Sequence, residues 1–288
     1  MWHSKTTRLH PFPDQFTPVG SDIYYALRFA PRRHRNTLSL VHAVYRSLRD
    51  IPVDCSDPTV ARAKLDWWTE ELNRAERGQA RHPVARALTE IYPRYPTIGD
   101  NLGHILQATA REIDGFYLRD DLELETHCAQ TGARFAQMLA TAADGDRAQV
   151  QAAERFGRFV RSVEIVRDLG QDLRRGRCLL PAELLAEHNL ARESLFDGDN
   201  QPRLRNLLVQ LADGQRRLYL QTLAGLTGVH APLGSVRSLA AMAYSLLQEL
   251  EKEGFRVLQQ RTSLTPLRML KISWRSHRQA RRAKVPGR

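Results

Sequence analysis

The hydrophobic residues of this chain recur with the period of an α-helix over almost its whole length. Apolar residues return every three or four positions between helix-capping residues, and we find no segment that alternates apolar and polar residues as a half-buried strand does. From 56 to 78, for example, Pro58 suits a first helical turn, and Leu65, Trp68 and Leu72 share one face. The pattern predicts an all-α fold, with further helices over about 36–51, 83–92, 100–117, 121–143, 147–173, 203–225, 234–259 and 264–280.

The same regularity bears on domain organisation. A chain of 288 residues can form one large or two small domains, each with a hydrophobic core. No internal repeat, low-complexity linker or change of composition divides residues 20–260. We therefore expect one helical domain over 20–262, an N-terminal arm over 1–19 and a basic amphipathic C-terminal extension over 263–288.

The positive charge is concentrated near the C-terminus. Of the net charge of +11, ten basic residues and no acidic residue lie between Gly254 and Arg288, which leaves about +1 for the rest. Leu267, Leu270 and Trp274 share one helical face among these basic residues, a pattern typical of helices that lie on anionic membranes. The sequence thus favours a membrane-surface partner for 266–288 over a nucleic acid, although the apolar residues could instead pack on the bundle.

Cysteine use and hydropathy bear on the compartment. Cys55, Cys128 and Cys178 are odd in number and lack the paired spacing of zinc sites or disulfide frameworks. The N-terminus has no apolar signal region, and the longest nearly apolar run, 239–247, is far below the roughly 20 residues of a membrane span. We expect a cytoplasmic protein, peripheral on the inner face of the membrane.

An acidic stripe lies on the helix predicted at 147–173. Glu164, Asp168 and Asp172 are spaced four residues apart, on a stripe separate from the apolar face. Like charges at this spacing repel, so positive charge must lie near them. Neighbouring arginines can supply it, and so can Mg²⁺, which prefers carboxylate oxygens and often bridges to a substrate phosphate. The spacing alone leaves both explanations open.

The letters around this stripe add a resemblance. The run RDLGQDLRRGRCLLP resembles the second aspartate-rich signature of the squalene/phytoene synthase family, RDVxEDxxRGRxYLP. Other segments follow in the family's order and extend the resemblance over about 20–262: SDIYYALRFAPRRHR, DPTVARAKLDWWTEEL, THCAQTGARFAQM and AYSLLQELEKEGFRVLQQR.

The resemblance implies an isoprenoid synthase-type helical bundle around a central apolar cavity. It also implies an enzyme that condenses two farnesyl or geranylgeranyl diphosphates head to head, with Mg²⁺ assisting loss of diphosphate. The matching positions imply catalytic carboxylates at Asp50, Asp168 and Asp172, which with Glu164 would bind the metal. The implied substrate-binding residues are Ser21, His42, Arg46, Arg49, Arg161, Arg167, Arg175, Arg177, Tyr244 and Arg261.

The first aspartate-rich motif departs from the family pattern. The family shows a form such as RxxDDIVDE, whereas this chain reads RSLRDIPVDCSD, with Arg49 in place of the first aspartate. Pro52 lies between Asp50 and Asp54 and disfavours helix there, which predicts that Asp54 does not stand one helical turn after Asp50. Nearer the second motif, Arg161 replaces a glutamine and Glu164 an asparagine.

Two functions therefore remain open from the sequence. One is an active prenyl transferase, and the other is a catalytically degenerate member that acts as a non-enzymatic lipid-binding or assembly protein at the membrane surface. The length of the prenyl chain, the need for NADPH and the oligomeric state are left open.

Overall fold

The computed structural model describes residues 12–282, except 116, 227 and 229. Its regular structure is helical, and no extended strand occurs among these residues, so the predicted all-α fold is confirmed. The α-helices are α1 (Asp22–Arg28), α2 (Arg32–Arg49), α3 (Ile51–Asp54), α4 (Pro58–Glu76), α5 (Pro83–Ile91), α6 (Thr97–Ile113), α7 (Asp121–Cys128), α8 (Arg134–Ala142), α9 (Arg147–Arg174), α10 (Ala182–Glu187), α11 (Gln201–Ala224), α12 (Gly234–Lys252) and α13 (Pro266–Ala280). A π-helical turn, Ala129–Ala133, joins α7 to α8.

Two short helices and one helix end differ from the predicted pattern. Helices α1 and α10 have seven and six residues, too few for a periodic signal to identify them. The helix predicted over 234–259 ends at Lys252, because Gly254 and Phe255 take left-handed backbone conformations, with φ of 69° and 54°. The residues that follow fold back toward α9.

Helix α9 is the central element of the core. It packs against α7, α8, α11, α12 and the π-helical turn. Its predicted apolar arc is buried, including Phe156, Phe159 and Val163. A Cβ atom on Gly157 would lie 2.3 Å from the carbonyl oxygen of Gly132, so only glycine permits the close crossing of α9 and the π-helical turn.

Helix α13 packs on α1 and α12 through a largely polar face. Ser273 Oγ donates to the carbonyl of Tyr25 at 2.6 Å, and His277 Nε2 donates to that of Ala26 at 2.8 Å. Leu267 and Trp274, in contrast, are 75% and 46% exposed. Leu270, the third apolar residue predicted on that face, is half-buried and packs against the cluster that includes Tyr24 and Met242. Among the described residues, no helix is both long and apolar enough to cross a bilayer.

Candidate active site

An apolar cavity of about 500 Å³ lies between α1, α2, α9, α12 and the start of α13. Phe135 stands on one wall, where its ring stacks on Tyr45 at a centroid distance of 4.2 Å. The other apolar lining residues include Ile23, Ala136, Val160, Val163, Val236, Leu239, Met242, Ala243, Leu246, Leu264 and Met269. Such a cavity suits a hydrocarbon chain and keeps water away from it.

A charged cavity of about 200 Å³ adjoins the apolar cavity, and we call it the mouth. The two share five arginines: Arg46, Arg49, Arg161, Arg167 and Arg261. The mouth is completed by Asp50, Val53, Asp54, Asp168, Gln171, Asp172, Arg175 and Arg177. The structure thus brings together most of the residues that the two motifs implied, with both acidic motifs facing one cavity.

Asp168 is held by two arginines at the mouth. Arg167 donates to its carboxylate through Nε at 2.8 Å and Nη2 at 2.5 Å, and Arg261 donates through Nε at 2.8 Å. Burial alone would raise the pKa of Asp168, but these two guanidinium groups hold it well below its usual range. Asp168 is therefore a carboxylate at any physiological pH.

A glycine in α9 brings Arg261 to this position. A Cβ atom on Gly170 would lie 2.3 Å from the carbonyl oxygen of Val257 and 2.8 Å from Cα of Leu258. The chain after α12 therefore passes directly against α9, and Arg174 donates to the carbonyl of Leu258 to fix it there. This contact lets a residue outside the helices reach Asp168.

The geometry predicted for the first motif is wrong. The backbone N–H of Asp54 donates to the carbonyl of Asp50 at 2.8 Å, so Asp54 does stand one helical turn after Asp50. Helix α2 ends at Arg49 and α3 begins at Ile51, which places Pro52 in a first turn, where a missing N–H breaks no helical hydrogen bond. Both aspartates line the mouth.

The pKa values of Asp50 and Asp172 are shifted in the opposite direction from that of Asp168. Burial raises the pKa of Asp50, although Arg49 and Arg46 oppose this effect. Burial likewise raises the pKa of Asp172, whose nearest guanidinium, that of Arg177, is 4.0 Å away. Added positive charge at the mouth would stabilise both carboxylates in their ionised form.

A buried acidic residue that the sequence did not single out lies below the mouth. Glu112, near the end of α6, forms ion pairs with Arg177 and with Arg161 at 3.9 Å, and its Oε1 lies 3.5 Å from Nε2 of His127. Burial would raise the pKa of Glu112, but these groups lower it. No local sequence pattern indicates this cluster, because its residues come together only in the folded state. They lie on α6, α7, α9 and the loop that contains Arg177.

Glu164 lies between two arginines. Its Oε2 is 3.7 Å from Nη2 of Arg49 and 3.5 Å from Nη1 of Arg161. Burial would raise the pKa of Glu164, but Arg49, Arg167 and Arg161 together lower it. The sequence assigns Glu164 to the metal site, whereas the structure pairs it with guanidinium groups.

The remaining predicted site residues lie at different distances from the mouth. Ser21 and His42 line the apolar cavity, and burial lowers the pKa of His42 to about 3, so its ring is neutral. Arg175 is exposed at the rim of the mouth. Tyr244 lines neither cavity, and its ring stacks on Tyr219 at a centroid distance of 4.5 Å.

Comparisons with known proteins identify the family and the fold of this chain. The sequence profile of the squalene/phytoene synthase family matches residues 16–268. A phytoene synthase from Thermus thermophilus is 28% identical over 201 residues, which cover 69% of each chain. A dehydrosqualene synthase solved with a ligand has the same fold, with a TM-score of 0.78 and 20% identity over 90% of this chain and 91% of the other. A squalene synthase from Alicyclobacillus acidocaldarius gives a TM-score of 0.70 at 17% identity over 83% of this chain and 92% of the other. The chain therefore belongs to the squalene/phytoene synthase family of prenyl transferases.

Proposed function

We propose that this protein condenses two allylic prenyl diphosphates, farnesyl or geranylgeranyl, head to head. The observation that carries the proposal is the direct junction of the apolar cavity and the mouth, which share five arginines. A diphosphate held at the mouth would place its hydrocarbon chain in the apolar cavity. Guanidinium groups bind phosphate oxygens bidentately, which suits them to this position.

The chemistry follows from this placement. Ionisation breaks the C1–O bond of one substrate, and the bonding electrons leave with the diphosphate. The C1 cation then adds to the double bond of a second prenyl chain, and loss of a proton to the released diphosphate closes a cyclopropane, which later rearranges. The arginines of the mouth stabilise the charge that develops on the leaving oxygens. The apolar walls exclude water that would otherwise quench the cation.

Mg²⁺ is the metal we propose for the mouth, and the donor chemistry of the mouth fits it. Four aspartates and Gln171 offer oxygen ligands, although no group of three metal-binding side chains forms among the described residues. This matches the usual role of Mg²⁺, which takes one or two carboxylates together with substrate phosphates. One or two of the carboxylates of Asp50, Asp168 and Asp172 would hold the ion together with the substrate phosphates, and the ion would neutralise charge on the leaving diphosphate.

The test is a product analysis. Purified protein incubated with Mg²⁺ and farnesyl or geranylgeranyl diphosphate should release diphosphate and form a C30 or C40 hydrocarbon or its cyclopropyl precursor. The more productive substrate would identify the chain length, and a parallel reaction with NADPH would show whether a reductant changes the product. The non-enzymatic alternative has no support in the comparisons. It predicts substrate binding with no diphosphate release.

We also propose that the exposed face of α13 lies on an anionic membrane surface. Leu267 and Trp274 project into solvent beside Lys271, Arg275 and Arg278, which are exposed too. Each basic residue near an anionic surface contributes about 1 kcal/mol, and the two apolar side chains add insertion into the interface. The opposite face includes Met269, which lines the apolar cavity, so α13 would separate the substrate chain from the bilayer.

Vesicle binding tests this surface without disturbing the packed face of α13. The double variant Leu267→Ser/Trp274→Ser should bind phosphatidylglycerol vesicles at least ten-fold more weakly than the unaltered protein. The matched control is Phe196→Ser/Leu220→Ser, which removes two apolar side chains of 48% exposure elsewhere. Equal loss in both variants, or binding that 1 M salt does not weaken, would contradict an electrostatic membrane surface on α13.

A further inference from the structure

Three residues that change the charge of the family pattern contact one another in the structure. Arg49 stands in place of an aspartate, Arg161 in place of a glutamine and Glu164 in place of an asparagine. Glu164 lies between the other two, at 3.7 Å from Arg49 and 3.5 Å from Arg161. Helix α2 supplies Arg49 and α9 supplies the other two, so the contact joins the two motif-bearing helices. We call these residues the arginine–glutamate triad.

The net change of charge equals that of a divalent cation. Replacing aspartate by arginine adds two positive charges, replacing glutamine by arginine adds one, and replacing asparagine by glutamate removes one, which leaves +2. All three side chains line the apolar cavity where it meets the mouth. The mouth itself is lined by seven arginines and four aspartates, a net formal charge of +3 before any metal binds.

The carboxylate of the triad also stabilises its two buried guanidinium groups. The side chains of Arg49 and Arg161 are only 14% and 5% exposed, and two buried like charges repel unless a carboxylate lies between them. Glu164 supplies that carboxylate, and Glu112 forms a second ion pair with Arg161. Within the described part of the chain, Nε of Arg161 and Nη1 of Arg177 are buried without a hydrogen-bond acceptor, so protein acceptors do not fully satisfy these two guanidinium groups.

We propose that the arginine–glutamate triad takes the place of one divalent cation in the diphosphate site. The chain then binds a prenyl diphosphate in the absence of Mg²⁺, and Mg²⁺ adds to that affinity instead of creating it. Guanidinium groups and metal ions serve the same purpose on a diphosphate, since both stabilise negative charge on its oxygens. This inference rests on the proposed function, because it takes the diphosphate of the substrate as the ligand.

Titration calorimetry with farnesyl thiolodiphosphate, an analogue that resists ionisation, tests the proposal in EDTA and in Mg²⁺. The unaltered protein should bind in EDTA, with a gain of less than ten-fold on adding Mg²⁺. The triple variant Arg49→Asp/Arg161→Gln/Glu164→Asn should lose at least 30-fold of the affinity in EDTA. In Mg²⁺ it should return to within about five-fold of the unaltered protein, because the variant restores room and ligands for the ion.

The control and a second variant keep the outcome decisive. Glu154→Gln/Arg158→Gln removes an ion pair of 2.6 Å on the same helix, lines neither cavity, and should bind like the unaltered protein. If the triple variant does not fold, as judged by circular dichroism, Arg49→Gln alone should weaken binding in EDTA about ten-fold. A strict Mg²⁺ requirement in the unaltered protein, or unchanged binding in the folded variants, would overturn the proposal.

The experiment separates this proposal from the proposed function. The analogue does not react, so binding in EDTA by a protein that forms no condensed product would overturn the function and support the triad. Conversely, turnover by a protein that binds the analogue only with Mg²⁺ would overturn the triad and leave the function standing.

Discussion

Gly170→Ala tests whether the close contact between α9 and the chain after α12 positions Arg261 at the mouth. The added Cβ would lie 2.3 Å from the carbonyl oxygen of Val257, whereas non-bonded heavy atoms of this kind prefer about 3.5 Å. The neighbour is backbone, so it cannot rotate away, and the 257–261 segment must move by about 1 Å. Because Arg261 is the last residue of this segment, its hydrogen bond to Asp168 should be lost or lengthened.

The change that Gly170→Ala makes in the free energy of unfolding follows from two opposing effects. Alanine in place of glycine within a helix favours folding by about 1 kcal/mol, because it restricts the unfolded chain. Overpacking against a fixed backbone costs about 2–3 kcal/mol. The net loss is therefore about 1–2 kcal/mol, which lowers the midpoint of thermal unfolding by about 2–3 °C for a chain of this size.

Gly103→Ala is the matched control. Gly103 lies inside α6, and a Cβ built on it meets no atom within 4 Å. The same substitution there should raise the unfolding midpoint by about 2 °C, with no change in analogue binding. Differential scanning fluorimetry and calorimetric binding measure both variants. If Gly170→Ala were as stable as Gly103→Ala and bound the analogue normally, the account of how Arg261 is positioned would be wrong.

Three further predictions concern single side chains. Burial lowers the pKa of His277 to about 4 from the ordinary 6.5. The contribution of the neutral ring to the free energy of unfolding is therefore complete above pH 6.5 and is lost as the pH falls toward 4. The loss amounts to about 3 kcal/mol, and His277→Gln should flatten this part of a pH series of urea unfolding. The pKa of Asp168 is lowered, so Asp168→Asn should reduce the free energy of unfolding by about 1–2 kcal/mol at pH 7. The difference in stability between the variant and the unaltered protein should shrink as the pH falls below about 4. A difference that does not change with pH would contradict the ion pairs. Asp168→Ala should remove most of the gain in analogue affinity that Mg²⁺ gives, about 1 kcal/mol, whereas Asp54→Ala should leave that gain nearly unchanged because Asp54 is exposed at the mouth. Equal effects of the two alanine variants would contradict this ranking.

The second acidic motif was predictable because it lies within one helix. The 3.6-residue period of α9 fixes which residues share a face, so Asp168 and Asp172 could be assigned to one stripe and Phe156 and Phe159 to the core without tertiary information. The cavity beside that stripe was implied by the resemblance to the family. The helical fold followed from the same periodicity, applied segment by segment.

The rest of the site depends on contacts between distant segments. Proline disfavours the interior of a helix but suits its first turn, and the sequence around Pro52 does not show which of these two cases applies. Asp54 lies one helical turn after Asp50 only if Pro52 is in the first turn of a new helix, as it is in α3. Glu112 acquires its role only when four segments converge on it. In the sequence, Arg49, Arg161 and Glu164 are separate departures from a family pattern, and only their contact in space shows that one carboxylate lies between two guanidinium groups.

The central claim is that the mouth holds the diphosphate and the apolar cavity holds the prenyl chain. A crystal structure of the protein with farnesyl thiolodiphosphate tests this claim most directly. We expect diphosphate oxygens within hydrogen-bond distance of Arg49, Arg167 or Arg261, and the prenyl chain against Phe135 and Met242. A diphosphate bound away from Asp168 and Asp172, or a prenyl chain outside the cavity lined by Phe135, would contradict the account.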